Sequence, residues 1–427
     1  MRKNIILTCI VAIATLAMAF GNGAKEEAPS NEPPTLRIAW WGSQTRHDRT
    51  LKVLDMYTQK TGVKFEAEYM PFDGYFTKLN TLIASNDEYD LIQLGGNFPT
   101  YIDHLEPLDP YIKSGVIDVS GTTAANLATT ALNGVQYGIS NGINTYGIAY
   151  DPALFAKAGV SEPTENWTWA DYEKACMTIH EKLGIFGSSK FEDFFLACTM
   201  GIPQNNLKQS FFTTDGKALN FTDSTPIFKY LDMKKRLVQA GAYPNAGQIN
   251  EIKDIEGDYL VTGDAAMTWV ATNQFTALSK AAGRKLKLAT VPRMKADGSV
   301  GVAMQSSQMF AISKNSKYKE EAAKFLNFFA FDTEANKVLG GERGIPIDKN
   351  CRAAVLENAS DDQKEVYKFV DMMSEISDTP VILDSPAQPE IKDLYYRIQT
   401  QVCDGSLSSE EGAKQFVEES KKILSRI

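Results

Sequence analysis

At 427 residues, with 43% hydrophobic and 10% aromatic side chains, the chain exceeds what one hydrophobic core serves, so two or more domains are expected. The net charge is −9 and no long Lys/Arg run occurs, which argues against nucleic acid or an anionic membrane surface as partner, since both select clustered positive charge.

The first nineteen residues read as a cleaved signal peptide. Arg2 and Lys3 form a charged start, 5–18 is apolar but short for a membrane span, and Ala17-Met18-Ala19 fits a small-x-small cleavage site. Cys9 sits in the middle of the apolar stretch, so no lipoprotein box is evident. A secreted protein without a lipid anchor needs an outer membrane to retain it, which favours the periplasm. Residues 20–34 are rich in Gly, Ala, Pro and Glu and read as a flexible tether.

Folded structure is expected from 36–42, a strand ending in Trp40, Trp41 and Gly42. A helix over about 48–60, a strand at 63–69, a helix at 75–84 and a strand at 89–94 follow. Alternation of this kind predicts an α/β layer with a largely parallel sheet, whose ligands sit beyond the C-terminal strand ends. That rule puts 40–46 and 95–98 on one wall of a site. The Gly- and Asn-rich run 134–150 has the composition of an interdomain crossing. Thr168 with Asp171 three residues later predicts a capped helix start, and Gly241 a stop for the helix at 226–239. Asp215-Gly216 and Asp297-Gly298 predict two hairpins, and 318–331 a helix.

Cys176, Cys198, Cys351 and Cys403 remain after cleavage. They allow up to two disulfides in three pairings, with buried free thiols or one incidental bridge the favoured outcome. No Cys/His spacing points to a metal, and no cofactor is expected.

Dispersed motifs then fall in one colinear order: Trp41-Gly42, Tyr89-Asp90-Leu91, Tyr137-Gly138-Ile139, Tyr146-Gly147-Ile148-Ala149-Tyr150, Trp167-Thr168-Trp169 and Asp215-Gly216-Lys217. Phe221-Thr222-Asp223, Gly263-Asp264-Ala265-Ala266-Met267, Val291-Pro292 and the run 308–329 complete it. In that order the chain resembles extracellular solute-binding proteins of the sugar-binding type, the capture subunits of ABC importers. The resemblance implies an α/β, two-lobed periplasmic binding protein fold with a ligand cleft between the lobes. It implies crossings near 145–149, 290–293 and 313–318, with lobe one at 35–146 plus 291–314 and lobe two at 147–290 plus 315–427. The implied partners are a small-molecule carbohydrate and ABC permease subunits in the inner membrane, the binding protein itself being a monomer.

A sugar presents apolar C–H faces and a ring of hydroxyls, so its site needs aromatic platforms with amide, Asn, Gln and Arg donors around them. Trp269, among Gly263, Ala265 and Ala266, is the foremost platform; Trp41, beside the Gly42 turn, is a second. Core packing is the competing role for each. Gln44, Arg46 and His47 form a polar-basic cluster at a strand end, where Arg offers a planar fork for a hydroxyl or a uronate carboxylate. Asn97, Asn141 and Tyr146 fall at the predicted wall and crossing, and Arg343 beside Gly344 is a contact from lobe two; a salt bridge to Glu342 or a neighbouring carboxylate is the alternative for Arg343.

A secreted carbohydrate-active hydrolase is the alternative from another class. It would use two carboxylates across the sugar bond, which 53 acidic residues make uninformative. No nucleophile elbow, HExxH or phosphate loop is present, and His47, His104 and His180 have no metal spacing. The same fold holding a polyamine or amino acid is a third reading, which the Trp, Asn, Gln and Arg content of the cleft segments disfavours.

Overall fold

The computed structural model describes residues 33–427 except Ser43, 205–210, Thr214, Asp215, Thr222, Asn358 and 380–384; at Asp73 and 199–204 only the backbone is described. The expected signal peptide, most of the tether and Asp215 of the first hairpin turn lie outside the described residues.

Two sheets organise the chain. The larger runs β2-β1-β3-β10-β6, with β1 (Thr35–Trp41), β2 (Lys64–Met70) and β3 (Leu91–Leu94) parallel and β10 (Gln305–Ile312) antiparallel to β3 and to β6 (Ile139–Asn144). The central strand β3, Leu-Ile-Gln-Leu, is buried at all four positions, as a strand covered on both faces must be. The helices Gln44–Thr61 and Phe72–Ala84 connect the parallel strands and cover them, extending the helices expected at 48–60 and 75–84. A short hairpin of β4 (Ala131–Leu132) and β5 (Val135–Gln136) precedes β6.

The smaller sheet is antiparallel, in the order β8-β7-β9, from β7 (Tyr146–Tyr150), β8 (Met267–Ala271) and β9 (Lys287–Ala289). Its helices include Trp169–Leu183, which starts at the Thr168/Asp171 capping box and ends at Gly184 in the left-handed region, φ +71°. Thr225–Gln239, Gln388–Asp404 and Ser409–Leu424 pack together beside it.

The chain passes from the first sheet to the second at one residue, Thr145, between β6 and β7. Thr145 is buried, its N–H donates to Thr272 Oγ1, and its carbonyl accepts from the Thr272 N–H at 3.0 Å. The glycines of this crossing are there for space. A Cβ on Gly142 would meet the Arg343 carbonyl oxygen at 2.5 Å, and one on Gly147 the Phe369 ring at 2.7 Å.

Three expectations are corrected. Asp297-Gly298 makes a turn, with Gly298 N–H donating to the Lys295 carbonyl, but no hairpin: β9 and β10 on either side belong to different sheets, so this segment is the second crossing. The third crossing is not at 313–318. That segment is held to the large sheet's side, where Ser313 N–H donates to the Asp90 carbonyl and Ser316 Oγ to Asp90 Oδ1. The helices Lys319–Phe331 and Thr333–Leu339, expected in lobe two, pack against β6, β10 and Gln44–Thr61 instead, because their Phe325, Leu326, Phe329 and Leu339 complete that core. The chain returns only through the helix Asp361–Ile376, which touches both β9 and the large-sheet helix Ala124–Ala128.

Candidate functional site

Two cavities abut the Thr145 crossing, and each takes its walls from both sides of it. The first, about 460 Å³, has Gly95, Gly96 and Phe98 on one wall, beyond the C-terminal end of β3 where the strand-end rule places ligands. Gln305 and Ser306 of β10 continue that wall. The facing wall is aromatic. Trp269 and Tyr146 stack at 4.8 Å between centroids and 21° between planes, and Phe195 tilts against both at 5.7 and 5.6 Å. Trp269 and Tyr146 are direct neighbours because β7 and β8 pair antiparallel, with Tyr146 opposite Ala271 and Ile148 opposite Trp269. Phe195 comes from the helix Asp193–Gln204. Glu192, Gln388 and Lys392 add polar groups to the rim. Glu192 Oε1 lies 2.7 Å from Lys392 Nζ and accepts from the Tyr396 hydroxyl at 2.9 Å. Burial and the carboxylates of Asp193 and Glu192 push the Tyr396 pKa up, so this hydroxyl stays a donor. The Cys198 thiol on the same wall is also pushed up by burial and stays protonated.

The second cavity, about 450 Å³, is lined by Arg46, Asn144, Asn273, Glu342, Arg343 and Tyr367, among others. A bulge at Gln308 shifts the register of β10, so Gln305 and Ser306 line the first cavity while Ser307 and Gln308 line the second. The charges here have structural partners, although the buried Arg343 Nε itself has no hydrogen-bond partner among the described residues. Arg46 Nε donates to Glu342 Oε2 at 2.9 Å. Arg343 is 2% exposed; its Nη1 donates to Gln93 Oε1 and its Nη2 to Thr50 Oγ1, and its guanidinium lies 5.1 and 5.4 Å from the Phe310 and Phe329 ring centroids. Burial first, then the neighbouring Arg46 charge, pushes the Arg343 pKa down.

The residues singled out in the sequence are therefore divided. Trp269 and Tyr146 meet in the first cavity. Trp41 stands half-buried at the end of β1 in a cluster with Phe72, Tyr75 and Phe76, next to Gly95 but not among the residues lining the first cavity. Asn97 is exposed and closes its own loop, its Oδ1 accepting from Gly95 N–H at 3.3 Å. Gln44 is exposed and donates to Asp48 one helical turn on. His47 is buried: its Nδ1 accepts from Trp40 Nε1 at 3.1 Å and its ring stacks on Tyr69 at 4.4 Å, so it braces β1 from inside. Asn141 is buried in β6 away from either cavity wall, and its Nδ2 has no partner among the described residues. Arg46 and Arg343 lie in the second cavity, and Arg343 is anchored to the large sheet rather than presented from lobe two. Its expected alternative, a salt bridge to Glu342, is made by Arg46. Cys176, Cys198 and Cys351 are buried free thiols and Cys403 is a half-buried one.

Sequence reasoning missed Phe195, Glu192, Gln305, Ser306, Gln388 and Lys392. The density of Phe191, Phe194 and Phe195 around Glu192 is the signal that marks the first two. Nothing local marks the others, which reach the cavity only through tertiary packing.

The family model for bacterial extracellular solute-binding proteins matches residues 43–335. The chain is similar to the arabinooligosaccharide-binding protein of Bacillus subtilis (strain 168), 22% identical over 360 residues, covering 81% of this chain and 80% of that one. Its fold matches an extracellular solute-binding protein family 1 structure from Alicyclobacillus acidocaldarius with a TM-score of 0.81 and 25% identity, covering 92% of this chain and 99% of that one. It also matches a periplasmic oligogalacturonide binding protein from Yersinia enterocolitica, with a TM-score of 0.78, 22% identity and coverage of 92% and 99%.

Proposed function

The chain belongs to the bacterial extracellular solute-binding protein family, and on that premise we propose that it captures an oligosaccharide in the first cavity and delivers it to an ABC permease. The observation that carries the ligand class is the Trp269–Tyr146–Phe195 cluster opening on a cavity between two sheets. Aromatic faces take the C–H face of a sugar ring, while Gln305, Ser306 and Gln388 on the same walls exchange hydrogen bonds with its hydroxyls. The relatives named for arabinooligosaccharide and oligogalacturonide support the same class.

Walls from both sides of a one-residue crossing make the mechanism a hinge. A ligand that touches Trp269 on one side and the 95–98 loop on the other gains its full contacts only when the two approach, so it favours the closed form by that difference in contact. The closed form is the state a permease pair would recognise. The protein would act in the periplasm as a monomer, without cofactor or nucleic acid.

A binding role is also favoured over hydrolysis by the carboxylates. Among the described residues lining the first cavity, Glu192 is the one carboxylate, and it is tied to Lys392 and Tyr396. Glycoside hydrolysis ordinarily uses two.

The test is thermal unfolding of 20–427 against neutral oligosaccharides, uronate oligomers, amino acids and polyamines. A ligand held only by the folded state stabilises it by about 2.7 kcal/mol at a hundredfold excess over its dissociation constant. A raised midpoint with saccharides alone is the expected result. A rise only with amines or amino acids keeps the fold and overturns the ligand class.

A further inference from the structure

A second groove, of about 280 Å³, borders β8, the edge strand of its sheet, and shares the lining residues Glu192 and Trp269 with the first cavity. Its walls include Lys190, Lys253, Asp254, Asp258 and Gln274. The Lys190 backbone is held against β8, since its carbonyl accepts from the Trp269 backbone N–H at 3.3 Å and from Thr268 Oγ1 at 3.2 Å.

The charges of this groove are unequally committed. Glu192 is held by Lys392 and Tyr396. Asp254 Oδ1 accepts from the Gly257 N–H at 2.9 Å. Asp258 accepts from the Leu260 N–H at 2.8 Å and from Thr268 Oγ1 at 2.9 Å, and its burial pushes its pKa up. Lys190 acts on Asp258 through space, without a hydrogen bond to it. Among the described residues neither the Lys190 nor the Lys253 ammonium makes a hydrogen bond or salt bridge, and both side chains are exposed. The groove therefore offers two cations without a hydrogen-bonded partner among the described residues, in a lining that also carries Glu192, Asp254 and Asp258, of which Glu192 alone is held by an ion pair.

We propose that this groove is a second subsite, for an anionic saccharide unit whose carboxylate is met by Lys190 and Lys253 while its ring packs against Trp269. The inference rests on the saccharide reading and extends it: the ligand is a uronate-bearing chain long enough to pass the indole. Arg46 and His47, the cations that the sequence offers for a carboxylate, are not available for this task, being bound to Glu342 and to the core.

The test is calorimetric titration of the wild type and the Lys190→Gln/Lys253→Gln double variant with galacturonate and glucuronate oligomers of two and six units, and with neutral oligomers of the same lengths. The unliganded thermal midpoint serves as the fold control. The expected result is a loss for the six-unit uronate oligomer that exceeds the loss for the neutral one about tenfold at low salt, two exposed ion pairs being worth about that much. The difference shrinks as salt rises. Equal losses for charged and neutral oligomers, or no loss for either, overturn the subsite while leaving saccharide binding intact. Failure of the wild type to bind any saccharide overturns the ligand class and the subsite together.

Discussion

The two cavities beside the Thr145 crossing are nearly equal in volume, about 460 and 450 Å³, yet their side chains are engaged differently. In the first, the large groups are aromatic and the amides of Gln305 and Gln388 stand on its walls. In the second, Arg46 is spent on Glu342, and Arg343 is clamped by Gln93, Thr50 and two phenylalanine rings. An arginine next to a glycine turn carries the same sequence signature whether it awaits a ligand or braces a loop. The difference is set by partners hundreds of residues away. The second cavity is thus a consequence of how the 340–345 segment is pinned to the large sheet, and the proposed reading assigns ligand binding to the first.

Substitutions can break or sharpen that contrast, beginning with the largest effect. Arg343→Ala removes a buried side chain that packs against Phe310 and Phe329 and leaves Gln93 Oε1 unmatched, so a loss of about 3–5 kcal/mol in unfolding free energy is expected by denaturant titration. Saccharide affinity of the folded fraction should hardly change; a large affinity loss with little destabilisation would return Arg343 to the binding site. Trp269→Ala should do the reverse, weakening saccharide binding by about 1–3 kcal/mol, with the cost of losing a base–aromatic stack as the nearest analogue. Unchanged affinity would make Trp269 a packing residue. Arg46→Gln breaks a pair whose side chains are 16% and 18% exposed, and about 1 kcal/mol of stability is expected to go.

The smallest effect is a pH dependence. Burial, then the charges of Arg343 and Arg46, lower the His47 pKa in the folded state, and its neutral ring accepts the Trp40 N–H. The unfolded chain therefore takes up this proton first as pH falls below about 6.5, so the His47 contribution is intact above that value and is lost toward the lower folded pKa. Unfolding free energy measured between neutral and mildly acid pH should slope downward, and His47→Gln should flatten the slope. An equal slope in the variant would assign the dependence to other groups.

The order of elements was legible because local signals dominate there. The Thr168/Asp171 capping box and the strand at β3 act within a few residues, and each formed as read. The glycines around the crossing mark it in composition, although what requires them is the close approach of Arg343 and Phe369. The candidate cavity was half legible: Trp269 and Tyr146, which line it, sit on neighbouring strands flanked by small residues. His47 and Arg46 misled because helix-start cations look alike before their tertiary partners are known. Lys319–Phe331 misled for a related reason: its apolar face fits either lobe, and which core it completes depends on β6 and β10 rather than on the helix. Lys392 and Gln388 enter the cavity from a helix near the C-terminal end of the chain, beyond the reach of any local pattern.

The most direct test of the account is a crystal structure of the protein with the saccharide that raises its unfolding midpoint most. The account predicts a sugar ring in van der Waals contact, within about 4.5 Å, with the Trp269 indole and enclosed by the 95–98 loop. A ligand seated instead among Arg46, Glu342 and Arg343 would contradict it and exchange the roles of the two cavities.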